Sequence, residues 1–91
     1  MNQNANIDTG GQTTVTASSG DITMADTTET TGSTIVYTAT DDVLLSVLNS
    51  SSTVAVTADS DSSTAGAIID NLTSSENSNI IGTTATLSLA I

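Results

Sequence analysis

The chain has 91 residues, enough for one small domain or one piece of a larger array. It carries ten acidic and no basic residues, a formal charge of −10, and it has no His, Cys, Pro, Trp or Phe. Without cations it cannot displace counterions from nucleic-acid phosphates or form a polybasic membrane patch. Without His, Cys or Lys it lacks the side chains of nucleophilic triads, Schiff-base chemistry and His/Cys metal sites.

The elements in chain order are short and β-rich. Met1 to Asp8 reads as a polar N-terminal arm, although Ala5-Asn6-Ile7-Asp8 also resembles a short strand closing a preceding unit. Met1 is followed by Asn2-Gln3-Asn4, which is not a secretory signal, so the expectation is a mature segment behind an added Met or a protein exported without such a signal. No apolar run approaches the ~18 residues of a membrane helix.

Residues 9–91 read as a single β-repeat domain. Thr13-Thr14-Val15-Thr16-Ala17, Ser33-Thr34-Ile35-Val36-Tyr37-Thr38-Ala39 and Thr53-Val54-Ala55-Val56-Thr57-Ala58 alternate apolar and hydroxyl residues and all end in Thr-Ala. That alternation is the signature of a half-buried strand. Aligned on Thr-Ala, Val15, Tyr37 and Val56 fall together, as do Ala17, Ala39 and Ala58, with Val36 and Ala55 as apolar exceptions on the outer side. Each strand leads into a polar turn: Ser18 to Asp21, Thr40 to Asp42, or the longer Asp59 to Gly66. A second apolar burst follows: Ile22 to Met24, Val43 to Leu48, or Ala67 to Ile69. A fourth unit runs from Asn79 to Ile91. Serine and threonine together make 33 residues, a bias found in disordered tracts, but the regular patterning argues for a fold.

The spacing is that of a repeat. Ala17 to Ala39 is 22 residues and Ala39 to Ala58 is 19. An irregular strand–turn–strand–turn period near twenty points to an all-β, parallel β-solenoid (β-helix) of about four coils, at roughly 9–30, 31–51, 52–78 and 79–91. At ~4.8 Å per coil such a stack stands about 19 Å tall. The alternative is an immunoglobulin-like β-sandwich with a donor-strand-like N-terminal arm, which about seven short strands would also fit. The expected core is Val15, Ile22, Met24, Ile35, Tyr37, Val43, Leu45, Val47, Val54, Val56 and Ile69.

The segments Thr14 to Met24, Thr34 to Leu45, Gly66 to Thr73 and Ile80 to Leu89 resemble repeats of the filamentous-haemagglutinin-like adhesins and related giant bacterial surface proteins. That resemblance implies a right-handed parallel β-helix, an extracellular or cell-surface location, and a role in adhesion or surface architecture.

Candidate sites are few. Asp41, Asp42, Asp59 and Asp61 lie in oxygen-rich turns and offer at most a weak Ca²⁺ site, since the spacing lacks the Gly and distal Glu of an EF-hand loop. No other cofactor is indicated. A polysaccharide-cleaving site needs two carboxylates and sugar-binding aromatics. Tyr37 is the only aromatic residue and falls on the inward register, so no enzyme is expected. Asn49-Ser50-Ser51 and Asn71-Leu72-Thr73 match the N-glycosylation pattern, as chance allows in so Ser/Thr-rich a chain. The remaining candidates are the ends of the stack, where Ile7 on one side and Ala85, Leu87, Leu89 and Ile91 on the other would meet a neighbouring coil. The expected partners are copies of the chain or neighbouring repeats, with a glycan or surface ligand as the adhesin alternative, and neither nucleic acid nor membrane insertion. The expected function is structural: self-association head to tail into filaments, or a place in a longer β-solenoid array; the alternative is the binding module of an adhesin.

Overall fold

The computed structural model describes residues 1–63, 65–75 and 77–89. Ten strands form: β1 (Asn2–Gln3), β2 (Ile7–Asp8), β3 (Gln12–Ala17), β4 (Ile22–Met24), β5 (Glu29–Ala39), β6 (Val43–Leu45), β7 (Val47–Ala58), β8 (Ile68–Asp70), β9 (Ile80–Ile81) and β10 (Thr84–Leu89). No helix is present among the described residues, as expected of a chain rich in Thr, Val, Ile and Ser.

Every strand pair is parallel. A short sheet runs β1-β4-β6-β8. A long sheet runs from β2 and β3 through β5 and β7 to β9 and β10. The chain alternates between the sheets, so it winds as a β-solenoid. Asn2, Thr23, Leu44 and Ile69 stack in one column, marking three turns. β9 and β10 complete a fourth rung on the long sheet. The immunoglobulin-like alternative fails, because its sheets are antiparallel.

The alignment read from Thr-Ala is the register of the long sheet. Val15 pairs with Tyr37, Tyr37 with Val56 and Val56 with Leu87, while Ala17 pairs with Ala39. Val15, Ala17, Tyr37, Ala39 and Val56 point inward and form the core together with Ile22, Met24, Ile35, Val43, Leu45, Leu48 and Val54. Outside, Thr16, Thr38, Thr57 and Ser88 form a hydroxyl column along the stack.

Three expectations need correction. Val47 is half-buried on the outer face, not in the core. Val43 to Leu48 is not one burst: the chain turns from β6 into β7 at the single residue Ser46, and the turn changes the side-chain parity. Ser46 and Leu48 point in, and Val47 points out. Ile69 is 40% exposed. It pairs with Leu44 on the outer side, while Ile68 pairs with inward Val43. The doublet Ile68-Ile69 contains no alternation from which the sequence could choose between them. The N-terminal stretch is no separate arm, since β1 pairs with β4, β2 pairs with β5, and Gln3 is buried.

Gln3 explains how the core tolerates its one phenol. The Tyr37 hydroxyl donates to Gln3 Oε1 at 2.6 Å. Gln3 Nε2 donates to Thr30 Oγ1 at 2.9 Å, and Thr30 Oγ1 lies 2.6 Å from the Tyr37 oxygen. The two amide bonds leave the Thr30 hydroxyl as donor to Tyr37, so the three groups close a ring of donors and acceptors. Burial pushes the Tyr37 phenol above its ordinary value, against the opposing hydrogen bond from Thr30. The ring ties β1 of the first rung to β5 of the second.

Close backbone packing adds a further constraint at Gly32, beside the register shift between β5 and β7. A Cβ there would sit 2.8 Å from Gly11 O.

Tyr37→Phe should cost about 1–3 kcal/mol, because it leaves Gln3 Oε1 without its donor and the Thr30 O–H without its acceptor in an apolar interior. Urea unfolding checks this, and an unchanged midpoint would remove the ring's structural role.

Candidate functional site

The sequence marked the ends of the stack and the acidic turns, and the two have different fates in the fold. β10 closes the long sheet at the C-terminal end and is hydrogen-bonded to β7 on one side only. Its alternate residues Ala85, Leu87 and Leu89 stand over Val54, Val56 and Ala58, in the inward columns. Yet all six residues of β10 are exposed, Leu87 at 51% and Leu89 at 47%. β8, its counterpart on the short sheet, is only three residues long, and among the described residues no further rung lies over either strand. Between them Leu45, Ile68, Ile80 and Leu87 line an apolar cleft of about 150 Å³. Ile7, at the opposite end, is half-buried against the core. There Val15 and Ala17 are already buried, so the two ends are unlike. Ile91 lies outside the described residues.

The acidic turns stack at the corner where the long sheet hands over to the short one. Asp21 Oδ1 accepts the backbone N–H of Asp42 at 2.9 Å, and Asp42 Oδ1 accepts that of Ala67 at 2.9 Å. Each carboxylate thus satisfies an amide one rung further on, a charge-assisted bond stronger than a neutral one. Asp61 Oδ1 accepts from Ser63 N at 3.2 Å. Asp59 is fully buried, and its Oδ1 accepts both the N–H and the hydroxyl of Ser63. A Cβ at Gly66 would collide with the Asp59 Cβ, so this turn requires glycine.

Asp41 is exposed and its carboxylate has no such task among the described residues. Desolvation raises its proton affinity, and Asp21, Asp42, Asp61 and Asp59 raise it further by repulsion. The four candidate Ca²⁺ residues therefore share one corner. Among the described residues, however, no three acidic side chains converge as a metal cluster would.

At the other corner Asn71, Thr73, Ser74 and Asn79 bond to the turn after β4 and to the corner between β6 and β7. Asp26 receives Thr73 N at 3.1 Å, Thr73 Oγ1 at 3.2 Å and Ser74 Oγ at 3.2 Å. Asn79 Nδ2 reaches Asp70 Oδ1 at 2.9 Å and Ser46 O at 2.9 Å. Burial raises the Asp26 carboxyl, but the bonds from Ser74 and Thr73 outweigh it and hold it below the ordinary range. Asp70 is held low by Asn79 and then by Leu72 N–H. A groove of about 480 Å³ lies at this corner, with Val47, Leu72 and Ile81 as its apolar lining and Glu29 as its carboxylate among the described residues. The two glycosylation-pattern asparagines are structural here: Asn49 Nδ2 donates to Glu29 and Asn71 Nδ2 to Met24 O.

No family model, curated protein or solved structure matches the chain. The Asp21–Asp42 ladder was not legible in advance. Its only signal was an Asp directly before the inward residue of each of two short strands, Asp21-Ile22 and Asp42-Val43.

Two outcomes follow from these carboxylates. Asp41→Asn should raise the melting temperature at low salt, and the gain should shrink as salt screens the repulsion. The sign is set by its raised affinity for a proton: the charged form costs stability at neutral pH, and the cost disappears as pH falls. A lower melting temperature would mean that the Asp41 charge is structural. Asp26 and Asp70 have the opposite sign. Their contribution is present above the ordinary carboxylate value of ~4 and is lost as pH falls through their lower folded values. Hydrogen exchange should therefore show residues 71–75 and 77–79 loosening in acid before β5 and β7 do; simultaneous loss would contradict the docking role.

Proposed function

We propose that this chain is a structural β-solenoid that self-associates through its ends, either as separate copies or as part of a longer array of rungs. The observation that carries this reading is β10: a parallel strand with one unpaired edge and three inward-register apolar side chains left in water. Edge strands are usually blunted by Lys, Pro or a bulge. This chain has neither Lys nor Pro, and β10 pairs with β7 in unbroken register from Thr84 to Leu89. A further rung would bury Leu87 and Leu89 and satisfy the free backbone groups. Contacts between two unlike ends do not close on themselves, so repetition gives a filament.

The charge of −10 per copy opposes association at long range, and salt weakens that opposition. The outer face, built of Thr and Ser, is what such a filament would present. The proposed position is extracellular or at the cell surface, an expectation that rests on the resemblance read in the sequence and on the lack of any Lys or Arg for trypsin-like proteases to cleave.

Light scattering and electron microscopy of the purified chain across a salt series test this. The expected result is filaments of uniform width that grow with salt. Leu87→Glu should weaken association about 30-fold or more, the loss of a central anchor worth about 2 kcal/mol. Dispersed particles at every salt concentration would overturn self-association.

A further inference from the structure

Resting on that reading, the geometry points to one docking register: we infer that the C-terminal rung of one copy, β9–β10, pairs in parallel with the N-terminal rung of a second copy, β2–β3, setting Leu87 beside Val15.

The two end rungs differ in the burial of their inward residues but are split alike, unlike the rungs between them. Each is split into a two-residue and a six-residue strand: Ile7–Asp8 with Gln12–Ala17, and Ile80–Ile81 with Thr84–Leu89. The interior rungs β5 and β7 run unbroken over 11 and 12 residues.

The distance along the chain between two inward columns also alternates. One column holds Ile7, Thr30, Leu48 and Ile80; the other holds Val15, Tyr37, Val56 and Leu87. The separations are 8, 7, 8 and 7 residues in successive rungs. Longer and shorter rungs therefore nest in turn, with the shift at Gly32/Thr34 absorbing one of the differences. A second copy placed on β9–β10 begins with its 8-residue rung on the first copy's 7-residue rung, so the alternation continues across the junction unbroken.

The side chains agree with that register. Inside, Ile80 meets Ile7, Leu87 meets Val15, and Leu89 meets the small Ala17. Outside, Ser88 meets Thr16, extending the hydroxyl column of Thr16, Thr38 and Thr57, and Thr86 meets Thr14 at the hydroxyl ends of a column whose interior is Val36 and Ala55. Within the copy no acidic residue is register-paired with another in a strand: Asp8 faces Thr31, Glu29 faces Val47 and Asp70 faces Leu45. On the long sheet the junction keeps this rule, with Asp8 falling opposite Ile81; on the short sheet Asp70 stands in the inward column of Gln3, Met24 and Leu45 and is the one carboxylate that the junction brings toward the core. A slip of one residue would turn Leu87 and Leu89 outward.

The chain has no cysteine, so paired single-cysteine variants report the register directly. Thr16 and Ser88 are both exposed. Directly paired residues on parallel strands lie within disulfide reach, whereas positions two residues out of step do not. Equal mixtures of Thr16→Cys with Ser88→Cys and of Thr14→Cys with Ser88→Cys are oxidised under conditions where light scattering shows association, after circular dichroism confirms β structure in each. The expected result is a disulfide-linked pair in the first mixture and its loss in the second. Association with disulfides mainly in the Thr14 mixture, within the Ser88→Cys sample alone, or in none would overturn the register while leaving self-association standing. No association at all would overturn both.

Discussion

Everything in this molecule depends on keeping inward positions over inward positions from one rung to the next. In a parallel stack the side-chain period is two, so a slip of one residue would exchange the core for the surface. The chain meets this demand with turns of unequal length rather than with a rigid repeat. Asn2, Thr23, Leu44 and Ile69 share a column although they are 21, 21 and 25 residues apart. The extra residues go into the turn from Asp59 to Ala67. The sharpest adjustment is Ser46, a one-residue corner that reverses parity between β6 and β7 and has its hydroxyl buried without a partner among the described residues.

Polar and charged groups are distributed so as not to disturb that stack. The one phenol is answered by a ring of three side chains spanning two rungs. Within strands each acid stands beside a neutral residue. At the handover corner, where acids do stack, Asp21 and Asp42 spend their charge on backbone amides of the following rung. Asp41 is left with desolvation and the repulsion of its neighbours, and Asp59 keeps Oδ2 buried without a partner among the described residues.

Much of this was legible because alternation and the Thr-Ala endings are local signals that survive into the register. Val15, Tyr37 and Val56 align in the sequence for the same reason that they touch in the fold. Legibility ended where the pattern lost its period. Val43-Leu44-Leu45-Ser46-Val47-Leu48 conceals a corner, and Ile68-Ile69 does not say which residue faces in. Gln3 and Thr30 are polar residues in core columns, and only the need of a buried Tyr37 for partners hinted at them. The end residues Ala85, Leu87 and Leu89 were found from the same alternation that identified the core, since they are core positions without a neighbouring rung.

In the proposed assembly β10 is an interior strand, exposed only in the isolated copy. Concentration-dependent hydrogen exchange tests that claim most directly. If it is right, the β10 amides exchange quickly in dilute solution and gain protection as concentration rises, while β5 amides stay protected throughout. Exchange of β10 that is independent of concentration would show that the strand remains an edge, and would contradict the account.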